Sequence, residues 1–221
     1  MKSSLAGTKK PTDSANLRPV AVTTKRQRRS DGERTYQAIV RASAELATID
    51  GLHGLSIARL ADHVGISKSG LYAHFRSKEE LQLATIEAAG EIFDEEVVRP
   101  TEGEQTARGT LEALCERFFS HVERRVFPGG CFFAAASAEV DTHKGRVRDR
   151  ISEFMLGWIE KLRELIVAAQ KEGAISPDED PVQLAYELEA AMMLANNLFV
   201  LTNDPATLER GRRAIRRLLA P

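Results

Sequence analysis

Between Ser56 and Lys78 small polar, hydroxyl and basic residues recur at spacings that suit a polyanion. Lys68, Ser69 and Gly70 follow Ser67, a residue that can cap a short helix. The backbone N–H groups and dipole of such a helix start favour phosphate. Tyr72 brings a hydroxyl, His74 an imidazole N–H, and Lys78 a positive charge at the start of the next helix. Ser69, Tyr72, Ala73 and Arg76 fall on one side, small and uncluttered, as a helix entering a major groove must be. The opposite side carries Leu71 and Phe75, four residues apart.

Two short helices have to hold that stripe in place. Ser56 can cap the first, Ile57 to Val64, whose Ile57, Leu60, Ala61 and Val64 share a face. Gly65 can take a positive φ and turn the chain sharply, and Ile66 fills the corner. The pair is a helix-turn-helix by spacing, although a plain αα-corner has the same outline. Upstream, Asp31 can cap a helix running to about Asp50, with Gly51 just past its end. Downstream, Ser77 and Glu80 read as a capping box for a helix from Lys78 to about Val98, ending before Pro100.

The remaining chain reads as helices over about 104–126, 131–140, 145–172, 180–202 and 205–219, punctuated by glycine and proline. No period-2 run of strand length interrupts them, so the expected fold is all-α. Residues 1–30 lack periodicity and are expected to be a disordered basic arm. Residues 31–78 form the helix-turn-helix domain and 79–221 a larger helical body.

Charge follows the same division. The 221 residues carry 31 Lys+Arg against 32 Asp+Glu. Residues 1–30 hold eight basic and one acidic side chain, residues 31–76 five of each, and residues 77–221 eighteen basic and twenty-six acidic. A basic end before an acidic body points to a polyanionic partner at that end. The cluster Lys25, Arg26, Arg28, Arg29 could enter a minor groove or attract DNA non-specifically.

With 43% hydrophobic residues the chain can build a core. Its uninterrupted apolar runs fall well short of a membrane span, and no signal-peptide stretch opens it, so no membrane partner is expected and a reduced cytoplasm is the expected setting. Cys115 and Cys131 match neither a disulfide scaffold nor a zinc spacing. Glu139, Asp141 and His143 could be imagined as metal ligands, but no second motif supports them, and neither metal nor cofactor is expected. No paired-carboxylate set, nucleophile elbow or phosphate-binding glycine loop appears, so a non-enzymatic protein is expected.

The stretch from about 32 to 85 resembles the DNA-binding domain of the tetracycline-repressor (TetR/AcrR-like) family of bacterial transcriptional regulators. Gly51, Ser56, Leu60-Ala61, Val64-Gly65-Ile66-Ser67, Leu71-Tyr72, His74-Phe75 and Lys78-Glu79-Glu80-Leu81 carry the resemblance. It implies a homodimer on a palindromic double-stranded operator, a small-molecule effector in the body, and pairing through the last two helices. By position, Ser56, Tyr72, His74 and Lys78 match phosphate contacts, whereas Lys68, Ser69 and Gly70 match positions nearest the bases. Many members have Lys-Gly-Thr where this chain has Lys68-Ser69-Gly70, so its operator cannot be borrowed from relatives. A constitutive architectural DNA binder without an effector is the alternative.

For the body, the expected cavity lining is Phe118, Phe119, Phe133, Met155, Trp158, Met193 and Asn197, residues an ordinary core could equally use. Cys131 is expected to be an inert buried thiol rather than a sensor. The arginines of the last helix are expected to form a solvated face or to pair with the acidic body.

Overall fold

The computed structural model describes residues 25–142 and 144–220. Nine α-helices and no strand occur among them. In chain order these are α1 (Lys25–Asp50), α2 (Ile57–Val64), α3 (Lys68–His74), α4 (Lys78–Phe93), α5 (Ala107–Glu123), α6 (Phe132–Val140), α7 (Arg146–Lys171), α8 (Pro181–Thr202) and α9 (Pro205–Leu218).

The caps lie where their residue types demand. Ser56, Ser67 and Ser77 each accept a backbone N–H at the start of α2, α3 and α4. Asp180 and Asp204 do the same before a proline at the first positions of α8 and α9. Gly65, at φ 74°, ends α2 in the left-handed region. Its N–H reaches the Asp62 carbonyl at 3.3 Å and the Ile66 N–H reaches Ala61 at 3.0 Å, which closes α2 with a Schellman turn.

Two boundaries depart from expectation. Helix α1 starts at Lys25, so Asp31 lies within it rather than at its start, residues 25–30 of the expected arm are helical, and residues 1–24 lie outside the described residues. The long helix from Lys78 does not stay α-helical to Val98. It passes at Asp94 into a π turn (Asp94–Val98) and then a 3-10 turn (Arg99–Thr101) containing Pro100.

One continuous buried cluster runs from Ile39 and Leu60 in the N-terminal helices to Leu208 and Leu219 at the C-terminus. The expected boundary between residues 78 and 79 falls on the first turn of α4, which packs on both α1 and α7. Inside the α1–α4 seam Ser43 and Thr85 pair their hydroxyls at 2.7 Å, and Thr85 also donates to the Leu81 carbonyl.

Helix α8 is long and apolar enough to cross a membrane by length and composition, which the short uninterrupted runs did not bring out. Its Leu184, Leu188, Met192, Ala195 and Phe199 are buried against the neighbouring helices, the placement of a core helix. In α9, Arg212 bonds Glu116, Glu123 and Glu209 at 2.8–3.0 Å and lies over the Phe119 ring. One of the arginines thus does pair with the acidic body.

Candidate nucleic-acid interface and the cavity behind it

Helix α3 buries Leu71 completely and is followed by buried Phe75, while Lys68, Ser69, Tyr72 and Ala73 are exposed on its other side. Tyr36 stacks on Phe75 with ring centroids 5.5 Å apart, tying α1 beneath α3. The Ser67 Oγ accepts the Gly70 N–H at 3.0 Å and lies 3.0 Å from the Ser69 Oγ. That contact tethers Ser69, so its hydroxyl has less freedom to lose when it meets a ligand.

The other expected contacts surround this helix. Ser56 is exposed, though its Oγ is 3.5 Å from the Arg59 N–H it caps. His74 is half-buried, tilted against Tyr36 and Phe75. Lys78 is exposed, and its ammonium donates to the His53 carbonyl. One N–H is thereby used, leaving two for an anion. The capping box at α4 is offset by a residue: Ser77 accepts the Glu80 N–H at 3.1 Å, but Glu80 returns to the Arg76 N–H at 2.7 Å.

Behind the helix-turn-helix, the loop between α1 and α2 is gripped from two directions. From α6, the Glu139 carboxylate accepts the Leu52 N–H at 2.6 Å and the His53 N–H at 2.7 Å. From α4, the Gln82 amide donates to the Leu52 carbonyl at 2.9 Å. Glu139 therefore serves the backbone. His143, its imagined co-ligand, lies outside the described residues, and no group of three His, Cys, Asp or Glu gathers for a metal among the described ones. Nearby, the Gly129 N–H donates to the Thr48 hydroxyl at 3.0 Å. A Cβ on Gly129 would stand 2.0 Å from the Thr48 carbonyl oxygen, so no larger residue fits without opening this contact.

The body contains a cavity of about 310 Å³ between α4, α5, α6, α7 and α8. Of the expected lining, Phe118, Phe133, Met155, Trp158 and Met193 reach it. Phe119 and Asn197 do not. Phe119 is turned towards Gly211 and Arg212 of α9, and Asn197 is exposed, accepting the Asn196 amide at 3.0 Å. Asn196 is the buried one, and its Oδ1 accepts the Cys131 N–H at 2.9 Å.

Sequence reasoning missed several cavity residues. Phe93, Asp94 and Val98 come from the end of α4 and the π turn, Arg150, Glu153 and Lys161 from α7, and Glu189 from α8. Phe93 meets Trp158 edge-on at 5.2 Å, and Phe133 lies 4.9 Å from Phe154. Cys131 also lines the cavity, and burial pushes its thiol up to about 11. A thiol held that high forms little thiolate, in keeping with an inert side chain.

Deeper in the body, His121 is fully buried with neither ring nitrogen hydrogen-bonded. It meets Phe93 and Phe127 edge-on. Burial holds its imidazole down at about 4, so it is neutral at physiological pH.

Comparisons with known proteins agree with this arrangement. Residues 39–85 match the family described as "Bacterial regulatory proteins, tetR family", and residues 107–215 match "Tetracyclin repressor-like, C-terminal domain". A nucleoid occlusion factor, SlmA, of Marinobacter nauticus is 30% identical over 139 residues, 63% of this chain and 68% of that protein. The transcriptional regulator AcuR of Cereibacter sphaeroides is 24% identical over 156 residues, 70% of this chain and 71% of that protein. Among solved structures, a TetR transcriptional regulator from Chloroflexus aurantiacus superposes with a TM-score of 0.78 at 29% identity, covering 86% of this chain and 94% of that one.

Proposed function

Because this chain belongs to the tetR family of bacterial regulatory proteins, a family of DNA-binding transcriptional regulators, we propose that it is a repressor released from a palindromic operator by a small molecule bound in the cavity. Two elements shared by cavity and DNA face carry this reading. Helix α4 starts at Lys78 beside α3 and ends at Phe93 in the cavity wall. Helix α6 starts beside Cys131 and Phe133 in that wall and reaches Glu139 on the α1–α2 loop. A ligand that favours one placement of these helices moves both recognition helices, and operator affinity falls by the ligand's differential affinity for the two states.

The DNA-facing set is Ser56, Ser67, Lys68, Ser69, Gly70, Tyr72, His74 and Lys78, with Lys68, Ser69 and Gly70 nearest the bases. Two copies must present α3 about 34–36 Å apart to enter successive major grooves. The surface that joins them is on α8 and α9, where Val182, Tyr186, Leu194 and Leu201 of α8 are each at least 60% exposed. Next to them a groove lined by Ala191, Leu194, Leu198, Gly211 and Ala214 separates the two helices. Exposed apolar side chains in such a row mark a contact surface, and a second copy of the same helices is its occupant. The protein acts without catalysis, in the cytoplasm beside the chromosome.

Selecting fragments of the source genome on the purified protein tests this. The expected product is a palindromic site bound by two copies, with affinity that drops when a cavity ligand is added. Absence of sequence preference at moderate ionic strength would overturn it. Similarity to a nucleoid occlusion factor, rather than to effector-controlled regulators alone, favours a second reading, a constitutive architectural DNA-binding protein without an effector. Under that reading, selected sites are bound with an affinity that no cavity ligand changes.

A further inference from the structure

Glu189 is the feature of the cavity that its apolar lining does not explain. It is only 8% exposed, yet it lines a space walled by Phe93, Phe118, Phe133, Phe154 and Trp158. Among the described residues the Trp158 indole N–H is its one hydrogen-bond donor, to Oε2 at 2.8 Å. The bases that also line the cavity do not neutralise it. Arg150 is held by both oxygens of Glu87 at 2.5 and 2.7 Å and by Glu153 at 2.7 Å, and it lies over the Phe154 ring. Lys161 makes no ion pair with it. Burial holds the Glu189 carboxyl above the usual carboxylate range, opposed only by the Trp158 hydrogen bond. The other acids of the wall are already paired, Asp94 with Arg99 at 2.9 Å and Glu153 with Arg150 at 2.7 Å.

A buried carboxyl that lacks a cation is costly, and the cost is recovered by whatever brings one. Aromatic rings in the wall add to this, since ring quadrupoles favour cations in a desolvated site, and Phe154 already carries Arg150 over its face. Resting on the reading of this cavity as the effector site, we infer that its ligand is a hydrophobic molecule bearing a protonated amine, with the ammonium on Glu189 and the apolar part among the aromatic rings. A cavity of about 310 Å³ suits a molecule of one or two rings or a short chain.

Three probes with a common body and different ends test the inference: 4-phenylbutylamine, 4-phenylbutanol and 4-phenylbutyrate. Calorimetry reads binding, and the emission of Trp158, the one tryptophan of the chain, reports occupancy of the cavity. The amine should bind roughly tenfold or more tightly than the alcohol, and the carboxylate least well. Glu189→Gln keeps the shape and an acceptor for Trp158, so it should retain alcohol binding while abolishing the amine preference. Equal or tighter binding of the carboxylate, failure of all three probes at millimolar concentration, or an amine preference that survives Glu189→Gln would overturn the inference. DNA affinity is measured separately with the amine present. An amine preference without any loss of DNA affinity would leave the ligand class standing and defeat the effector reading instead.

Discussion

Replacing His121 with leucine should make the protein more resistant to acid, by an amount the structure sets. The imidazole is buried without a hydrogen-bond partner, and its proton affinity falls from 6.5 to about 4. The unfolded chain therefore takes up this proton before the folded one does. The contribution of His121 is constant above about pH 6.5, becomes destabilising as pH falls towards 4, and levels off below that. A shift from 6.5 to about 4, at 1.36 kcal/mol per unit, amounts to about 3 kcal/mol in full, of which about 2 kcal/mol is reached by pH 5. Leucine is close in volume and does not titrate. Urea unfolding of both proteins from pH 8 to pH 5 cancels the titrations they share, so the stability difference between them isolates His121. The variant should gain about 2 kcal/mol on the wild type across that interval, beyond any constant offset from repacking or from removing two unsatisfied nitrogens. A difference that stays flat from pH 8 to pH 5 would refute the reasoning, because the folded protein would then hold the imidazolium as readily as water does.

Removal of the Lys78 ammonium by Lys78→Ala should weaken binding to all DNA sequences alike and flatten the slope of log affinity against log salt by about one, measured by fluorescence anisotropy from 50 to 200 mM salt. Glu139→Gln loses the charge behind two short hydrogen bonds, each worth about 1.5–3 kcal/mol in such charge-assisted cases. Faster hydrogen exchange at the Leu52 and His53 amides, with the helices intact by circular dichroism, is the expected sign. Leu194→Arg places a charge on the exposed row of α8 and should turn a dimer into a monomer in sedimentation equilibrium, with operator binding weakened in step.

The helix-turn-helix was legible because every instruction it needs is local. Ser56, Ser67 and Ser77 are caps in the right register, Gly65 is the one residue type at ease at its φ, and Leu71 and Phe75 mark the buried side. Long-range contacts left no such mark. Nothing near Glu139 in the chain announces that its carboxylate will hold amides 86 and 87 residues away. The start of α1 was misplaced because Asp31 is an acceptable cap wherever the chain stops being helical, and here it does not stop. Phe119 and Asn197 miss the cavity because residue type alone does not say which side of α5 or α8 faces it. Successive helical residues are about 100° apart, which here turns Phe119 away from Phe118 towards α9, and Asn197 away from buried Asn196 towards solvent. Counting by fours from Leu188 and Met192 reaches Asn196 on the buried side, and from Ala185 the same count passes through Glu189 to Met193. Reading α8 that way would have found the carboxyl. The π turn had no signal beyond Pro100, which told where regular helix must fail but not how.

The apolar row of α8 has a consequence for how such a protein drifts. When a surface pairs with its own copy across a two-fold axis, each side chain enters the contact twice. A substitution costing about 1 kcal/mol on each side removes about 2 kcal/mol from the pair, roughly thirtyfold in association constant. After gene duplication the mixed pair would lose only half as much, so single changes along this helix would tune how tightly each chain pairs, and sister chains would part only after complementary changes on both.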